Sequence, residues 1–206
     1  RLLEGGGQPY VPIKTTWRLN ERHYGALQGK SKAETEAQLG PIVREWRRSF
    51  SARPPPMEPN HPHWPLIADD PRYRGVDIPR CESLDDTVRR VWSYWEGEIC
   101  RDLGAGKSVL VMAHANTIRS LVKVLDDVSE EKIKAVKIPT GRPFVYRLGP
   151  DFRPVGEPDA NGFRGKFISD LMTAGAAVCV GDLEWRLGRC EELMRENPLV
   201  VPEDCY

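Results

Sequence analysis

The 206 residues carry 30 Lys and Arg against 30 Asp and Glu, a formal net charge of zero, with 40% hydrophobic and 8% aromatic content. That length and composition describe one sizeable globular domain, and the balanced charge argues against a nucleic-acid or membrane surface, so any basic cluster is a local feature. The five cysteines are scattered, odd in number and never in a CxxC spacing, and no apolar run approaches the roughly 18 residues of a membrane span; the expectation is an intracellular protein with reduced thiols, in the cytoplasm or else in an organelle.

Residues 1–16, with Gly5-Gly6-Gly7 and Pro9, read as a flexible lead-in. The next stretch, Trp17-Arg18-Leu19-Asn20-Glu21-Arg22-His23-Tyr24-Gly25, places one carboxylate among cations and aromatic rings. Two readings stand at this point. Glu21 is a proton-transfer group in an anion pocket, or it is an acid salt-bridged to Arg18 or Arg22. Lys32 and the pair Arg47-Arg48 follow at short range, and arginine forks with a lysine point charge suit a small substrate that carries both phosphate and carboxylate.

Ser31-Lys32-Ala33-Glu34 has capping-box spacing and predicts a short helix ended by Gly40, with Pro41 opening a second. In that second helix Ile42, Val43, Trp46 and Phe50 keep helical spacing, leaving Arg47 and Arg48 at the edge of the apolar face. Six prolines between Pro54 and Pro65 make residues 51–80 an irregular, lid-like insertion that includes Asp69, Asp70 and Tyr73. His61 and His63 lie within it, and without cysteines nearby they read as structural or solvated rather than as metal ligands. Ser83 to Asp86 caps a long helix in which Leu84, Val88, Val91, Trp92, Trp95, Ile99 and Leu103 face a core until Gly104.

The run Ser108–Ala113 is apolar and rich in β-branched residues, which predicts a buried parallel strand with His114 at its carboxyl end. Ile118, Leu121, Val122 and Leu125 then predict a helix from Thr117 onward, so that His114 and Asn116 stand at a strand-to-helix junction of the kind that binds anions. A short helix over 129–136, a turn at Pro139–Gly141 and a strand over Phe144–Leu148 complete an α/β pattern. Asn161–Gly165 is turn-like, and Leu183, Leu187, Cys190 and Met194 are spaced for an amphipathic helix.

Arg18–Gly29, Lys32–Thr35, Trp46–Phe50, Glu82–Val91, Ala113–Asn116 and Ile138–Gly141 together resemble, in the same order, the cofactor-dependent phosphoglycerate mutases of the histidine phosphatase superfamily. The resemblance covers about residues 9–155 and implies a three-layer α/β fold. The expected organisation is a mutase-like domain over 1–155 with the Pro-rich insertion at 51–80, and a divergent tail over 156–206 docked on it. By resemblance, Glu21 is the proton donor and acceptor and His114 stabilises charge on the transferring phosphoryl group. Arg22, His23, Tyr24, Lys32, Arg47, Arg48, Ala115 and Asn116 are the implied substrate-binding set. Ala115 and Thr117 stand where the family usually has Gly and Ser, and the Ala115 methyl is expected to crowd a backbone approach to phosphate.

The implied reaction is interconversion of 3- and 2-phosphoglycerate through a phosphohistidine, primed by 2,3-bisphosphoglycerate and without a metal. The only partner implied is the small-molecule substrate, and a homo-oligomer is compatible. The family's Arg-His-Gly motif, which carries the phosphate-accepting histidine on the first strand, has no match in this sequence; Arg22-His23 is followed by Tyr24 and lies inside the acid/base motif. Together with the start at Arg1, this sets the expectation of an N-terminally incomplete chain whose sheet lacks that strand. The alternatives are an inactive paralogue that retains the anion pocket, or a bisphosphoglycerate mutase or phosphatase.

Overall fold

A computed structural model of the chain describes residues 11–160 and 162–168. The chain divides into two compact units. Of the described residues, the larger holds 16–139, 146–160 and 162–165, and the smaller holds 11–15, 140–145 and 166–168.

In the larger unit the helices begin where the sequence supplies a cap. Ser31 opens α1 (Lys32–Leu39) by accepting the Glu34 amide at 3.4 Å, and Gly40 closes it in the left-handed conformation at φ 74°. Pro41 sits at the start of α2 (Ile42–Arg48), the position where its missing N–H costs nothing. The Pro-rich insertion is irregular, as predicted, apart from α3 (Trp64–Ala68) and one 3-10 turn over Pro71–Tyr73. Ser83 and Asp86 form a complete capping box ahead of α4 (Leu84–Tyr94), each side chain accepting the other's backbone N–H.

The predicted long helix continues beyond Tyr94 through a π-turn over Trp95–Ile99 into α5 (Cys100–Gly104). Its core positions Val91, Trp95, Ile99 and Leu103 recur every four residues. In a regular α-helix that spacing drifts by roughly 40° per step, and the wider π-turn takes up the drift so that all four stay on one side. Val91, Trp95 and Ile99 pack with Leu121 and Leu125 of α6 (Ala115–Leu125) to make the core, with Leu19, Trp92, Val111, Tyr146 and Leu148 around it. A short α7 (Glu130–Ile133) follows, where a helix was predicted over 129–136.

Gly25, which ends the Glu21 motif, has φ +60°, and a Cβ there would meet the Pro55 carbonyl oxygen at 2.1 Å. Gly25→Ala is therefore expected to cost on the order of 1–3 kcal/mol from backbone strain alone, before the clash is counted. A thermal melt checks this, and an unchanged midpoint would mean that the turn relaxes freely.

Two predicted strands differ from expectation. Ser108–Ala113 has no regular structure and pairs with no strand among the described residues, in contrast to the buried parallel strand the apolar run suggested. Val111 packs on the core, whereas Leu110 and Met112 are 81% and 85% exposed. Burial of both faces needs neighbours on either side, and a run of apolar residues specifies its own preference but not those neighbours. The predicted strand over 144–148 is correspondingly short. It belongs to the smaller unit, where β1 (Phe144–Val145) pairs antiparallel with β2 (Lys166–Phe167) in the register Phe144 opposite Phe167. The described architecture is thus helix-rich with one two-stranded ribbon, compatible with α/β. The helix predicted around Leu183–Met194 and most of the predicted tail lie outside the described residues.

Candidate functional site

The stretch Trp17–Gly25 has little regular structure of its own, a 3-10 turn over Trp17–Leu19 and another starting at Gly25. Its shape comes from a buried ion pair. Arg90 on α4 grips Glu82 through two bonds, Nε to Oε1 at 2.6 Å and Nη2 to Oε2 at 2.9 Å, with the two side chains 7% and 3% exposed. The same guanidinium donates to the Arg18 carbonyl at 2.7 Å and the Glu21 carbonyl at 3.1 Å. Glu82 in turn accepts the His23 amide at 2.9 Å and donates its own amide to the His23 carbonyl at 2.8 Å. Thr117 on α6 adds a bond from its hydroxyl to the Asn20 carbonyl at 2.8 Å. The backbone on both sides of Glu21 is thereby tied to α4 and α6.

That anchoring points the Glu21 carboxylate at the first turn of α6. Its Oε1 accepts the Asn116 side-chain amide at 2.8 Å and the Arg22 backbone N–H at 2.7 Å, and its Oε2 accepts the Asn116 backbone N–H at 3.4 Å. An anion at a helix N-terminus gains from the partial positive charge there. The second N–H of the same Asn116 amide goes to the Tyr24 hydroxyl at 2.8 Å, and the Asn116 oxygen accepts from Arg119 at 2.9 Å. The Tyr24 ring meets two cations, with the Arg22 guanidinium 4.4 Å and the Arg47 guanidinium 5.2 Å from its centroid.

Arg22 is 2% exposed, and its Nη2 donates to the Trp46 and Arg47 carbonyls at the end of α2, at 3.0 and 3.4 Å. Its Nε and Nη1 are buried without a hydrogen-bond partner among the described residues, as are the Nε atoms of Arg47 and Arg119. Buried donors left unpaired are costly, and four of them on three guanidiniums in one region mark a place suited to an anion. Burial first, then the neighbouring Arg22 and Arg48 guanidiniums, pulls the Arg119 pKa down to about 10. Arg47 is lowered by burial first and then by Arg22, while Tyr24 and Glu36 act the other way.

The structure therefore brings Glu21, Arg22, Tyr24, Arg47 and Asn116 together by direct contacts, with Arg48 close enough to act on Arg119. His23 turns elsewhere. Its ring meets Tyr73 edge-on at 6.1 Å, and its Nε2 is buried without a partner among the described residues. Its pKa is lowered, by burial first and by Arg90, against the opposing carboxylates Glu82 and Glu21. Lys32 is the half-buried first residue of α1. His114 is the exposed N-cap of α6, its ring makes no capping bond, and Ala115 is the exposed first residue of that helix. An open cleft of about 480 Å³ lined by Gln28, Lys30, Glu58, His61 and His63 includes none of these residues. Among the described residues no three His, Cys, Asp or Glu side chains are grouped to hold a metal ion, and no helix is long and apolar enough to cross a membrane.

Arg119, Glu82 and Arg90 were not among the residues predicted for the site. Little in the sequence marks them, since at roughly 100° per residue Arg90 and Arg119 lie beside the apolar faces of their helices, where a cation is ordinarily solvated.

A family model described as Histidine phosphatase superfamily (branch 1) matches residues 2–151. The 2,3-bisphosphoglycerate-dependent phosphoglycerate mutase of Clavibacter sepedonicus is 49% identical over 156 residues, covering 74% of this chain and 61% of the relative. The protein of the same description from Leifsonia xyli subsp. xyli is 49% identical over 161 residues, covering 77% of this chain and 64% of the relative. A third, from Clavibacter michiganensis subsp. michiganensis, is 49% identical over 156 residues, with 74% and 61% covered. The chain thus spans about three fifths of the length of the curated relatives it matches.

Proposed function

The chain belongs to the histidine phosphatase superfamily, branch 1, and on that premise we propose that it serves the interconversion of 3-phosphoglycerate and 2-phosphoglycerate in a three-layer α/β domain. The observation that carries this reading is the Glu21 carboxylate, held by Asn116 beside Arg22, whose buried Nε and Nη1 have no partner among the described residues.

Glu21 takes the proton from the substrate hydroxyl that becomes phosphorylated and returns a proton to the hydroxyl that is released, so one carboxylate acts as base and then as acid. Arg22, Arg47 and Arg48 hold carboxylate and phosphate oxygens, with Lys32 as a further point charge. Tyr24 donates its hydroxyl proton to the ligand. His114, at the N-terminus of α6, stabilises charge on the phosphoryl group in transit. His23 and Ala115 complete the substrate-binding set, His23 by shaping the wall behind Tyr24 and Ala115 through its backbone N–H.

The cofactor in this reading is 2,3-bisphosphoglycerate, and the test of fit is the same set of orphaned guanidinium donors on Arg22 and Arg47, which suits a polyanion. When bound, it supplies the priming phosphoryl group. The accepting histidine of the family's Arg-His-Gly motif is not assigned to a residue of this sequence. The second reading is that the chain binds phosphoglycerates in the same pocket without turning them over.

The two readings separate in one experiment. The full chain is incubated with 3-phosphoglycerate and catalytic 2,3-bisphosphoglycerate while 2-phosphoglycerate is followed by an enolase-coupled assay, and 3-phosphoglycerate binding is measured by calorimetry. Turnover supports the mutase reading, binding without turnover supports the second, and neither binding nor turnover rejects both.

A further inference from the structure

Asn116 spends its whole side chain inside the protein. Its amide nitrogen donates to Glu21 and Tyr24, and its oxygen accepts from Arg119. A side-chain amide has two orientations that differ only by exchange of oxygen and nitrogen, and something must choose between them. Arg119 makes that choice from behind. A guanidinium only donates, so the Asn116 atom 2.9 Å from its Nη1 is the oxygen. Its Nη2 donates to the Ile133 carbonyl of α7 at 2.5 Å, which pins the guanidinium at a second point, and the residue is 5% exposed.

We infer that Arg119 is a positioning residue that locks the Asn116 amide with its NH2 group toward Glu21 and Tyr24, fixing the carboxylate and reserving the Tyr24 hydroxyl proton for a ligand. With the NH2 group facing it, the Tyr24 oxygen accepts, and its own O–H donates to no group among the described residues. In the flipped amide the Asn116 oxygen would face the Glu21 carboxylate, acceptor against acceptor, and would draw the Tyr24 proton to itself. Both consequences disable the two groups that meet the substrate. The catalytic meaning of this lock rests on the function proposed above, but the lock itself is a property of the chain without ligand.

The test is made on the full chain, uniformly labelled with 15N, by following the side-chain amide of Asn116, assigned through its loss in Asn116→Ala. In the parent both amide protons are hydrogen-bonded, and their resonances stand away from the random-coil positions. Arg119→Met is expected to return them toward those positions and to speed their exchange with water about fivefold to tenfold, the net worth of a hydrogen bond. Arg119→Lys, which keeps a cationic donor, restores part of the protection, and it carries the same reading if Arg119→Met does not fold. Val122→Ala opens a cavity on the same helix at a residue 1% exposed, and it is expected to leave the Asn116 amide unchanged. Asn116 resonances unmoved in the Arg119 variants, or moved equally in Val122→Ala, overturn the inference. A lost amide signature in a chain that neither binds nor converts phosphoglycerate rejects the functional reading and leaves the lock standing. In a chain that turns over, Arg119→Met lowers kcat with little change in KM.

Discussion

Glu82→Ala is expected to remove about 3–5 kcal/mol of stability, because it strands the Arg90 charge in a site that is 7% exposed. Against a total that is commonly about 5–15 kcal/mol, such a loss leaves the variant marginal or unfolded at room temperature. The lost carboxylate also releases the His23 amide, and the unpaired Arg90 no longer has a reason to stay against the Arg18 and Glu21 carbonyls. Urea unfolding gives the measurement, as a fall in midpoint. The comparison is Arg53→Ala, which breaks the pair with Asp86 in which the Arg53 side chain is 62% exposed, and which is expected to cost less than about 1 kcal/mol. Equal losses from the two variants would mean that the buried pair does no more than a surface one.

In the mutase reading proposed above, Glu21→Gln is expected to slow phosphoglycerate turnover by about two to four orders of magnitude while leaving substrate affinity nearly unchanged. The amide retains an oxygen that accepts from Asn116 and from the Arg22 backbone and gives up only the long 3.4 Å contact of Oε2 with the Asn116 N–H, so most of the local geometry survives while the basic, negatively charged oxygen is lost. Steady-state kinetics with 3-phosphoglycerate read the effect. A rate within twofold of the parent would remove Glu21 from proton transfer and return it to the other sequence reading, that of an acid with a structural role.

Much of the helical frame was legible because its signals are local. Ser31, Gly40, Pro41 and the Ser83–Asp86 box mark helix ends within a few residues of where the chain bends, and the apolar spacing in α4 and α6 names the faces that meet. The apolar segment before His114 differs from its expected strand for a corresponding reason. Val109, Val111 and their neighbours declare a preference for strand, but a ladder also needs partners, and no property of these six residues supplies them. The site divides in the same way. Glu21 stood out by composition, as one acid among cations. Its contact with Asn116 spans 95 residues of sequence, so only the strand-to-helix junction hinted that the two meet. Arg119 and Arg90, on helices, and Glu82, just before the cap of α4, carry no local mark because charged residues are ordinarily solvated, and only the packed structure shows these three to be buried.

The π-turn over Trp95–Ile99 has a consequence for how this helix can change in length. Loops absorb an inserted or deleted residue with little effect on what they connect. In an α-helix each residue adds roughly 100° of rotation, so a one-residue change turns everything beyond it onto another face. This helix already accommodates one residue more than a regular turn holds, at the exposed Gly97, where no atom approaches within 4 Å of a would-be Cβ. Deleting that residue would let the turn close into a regular α-helix and would leave Leu103 on the core side, because the deletion removes the residue that widens the turn. A chain one residue shorter at this turn would therefore keep its apolar positions without compensating substitutions, whereas a deletion within α4 or α5 would turn everything beyond it by roughly 100°.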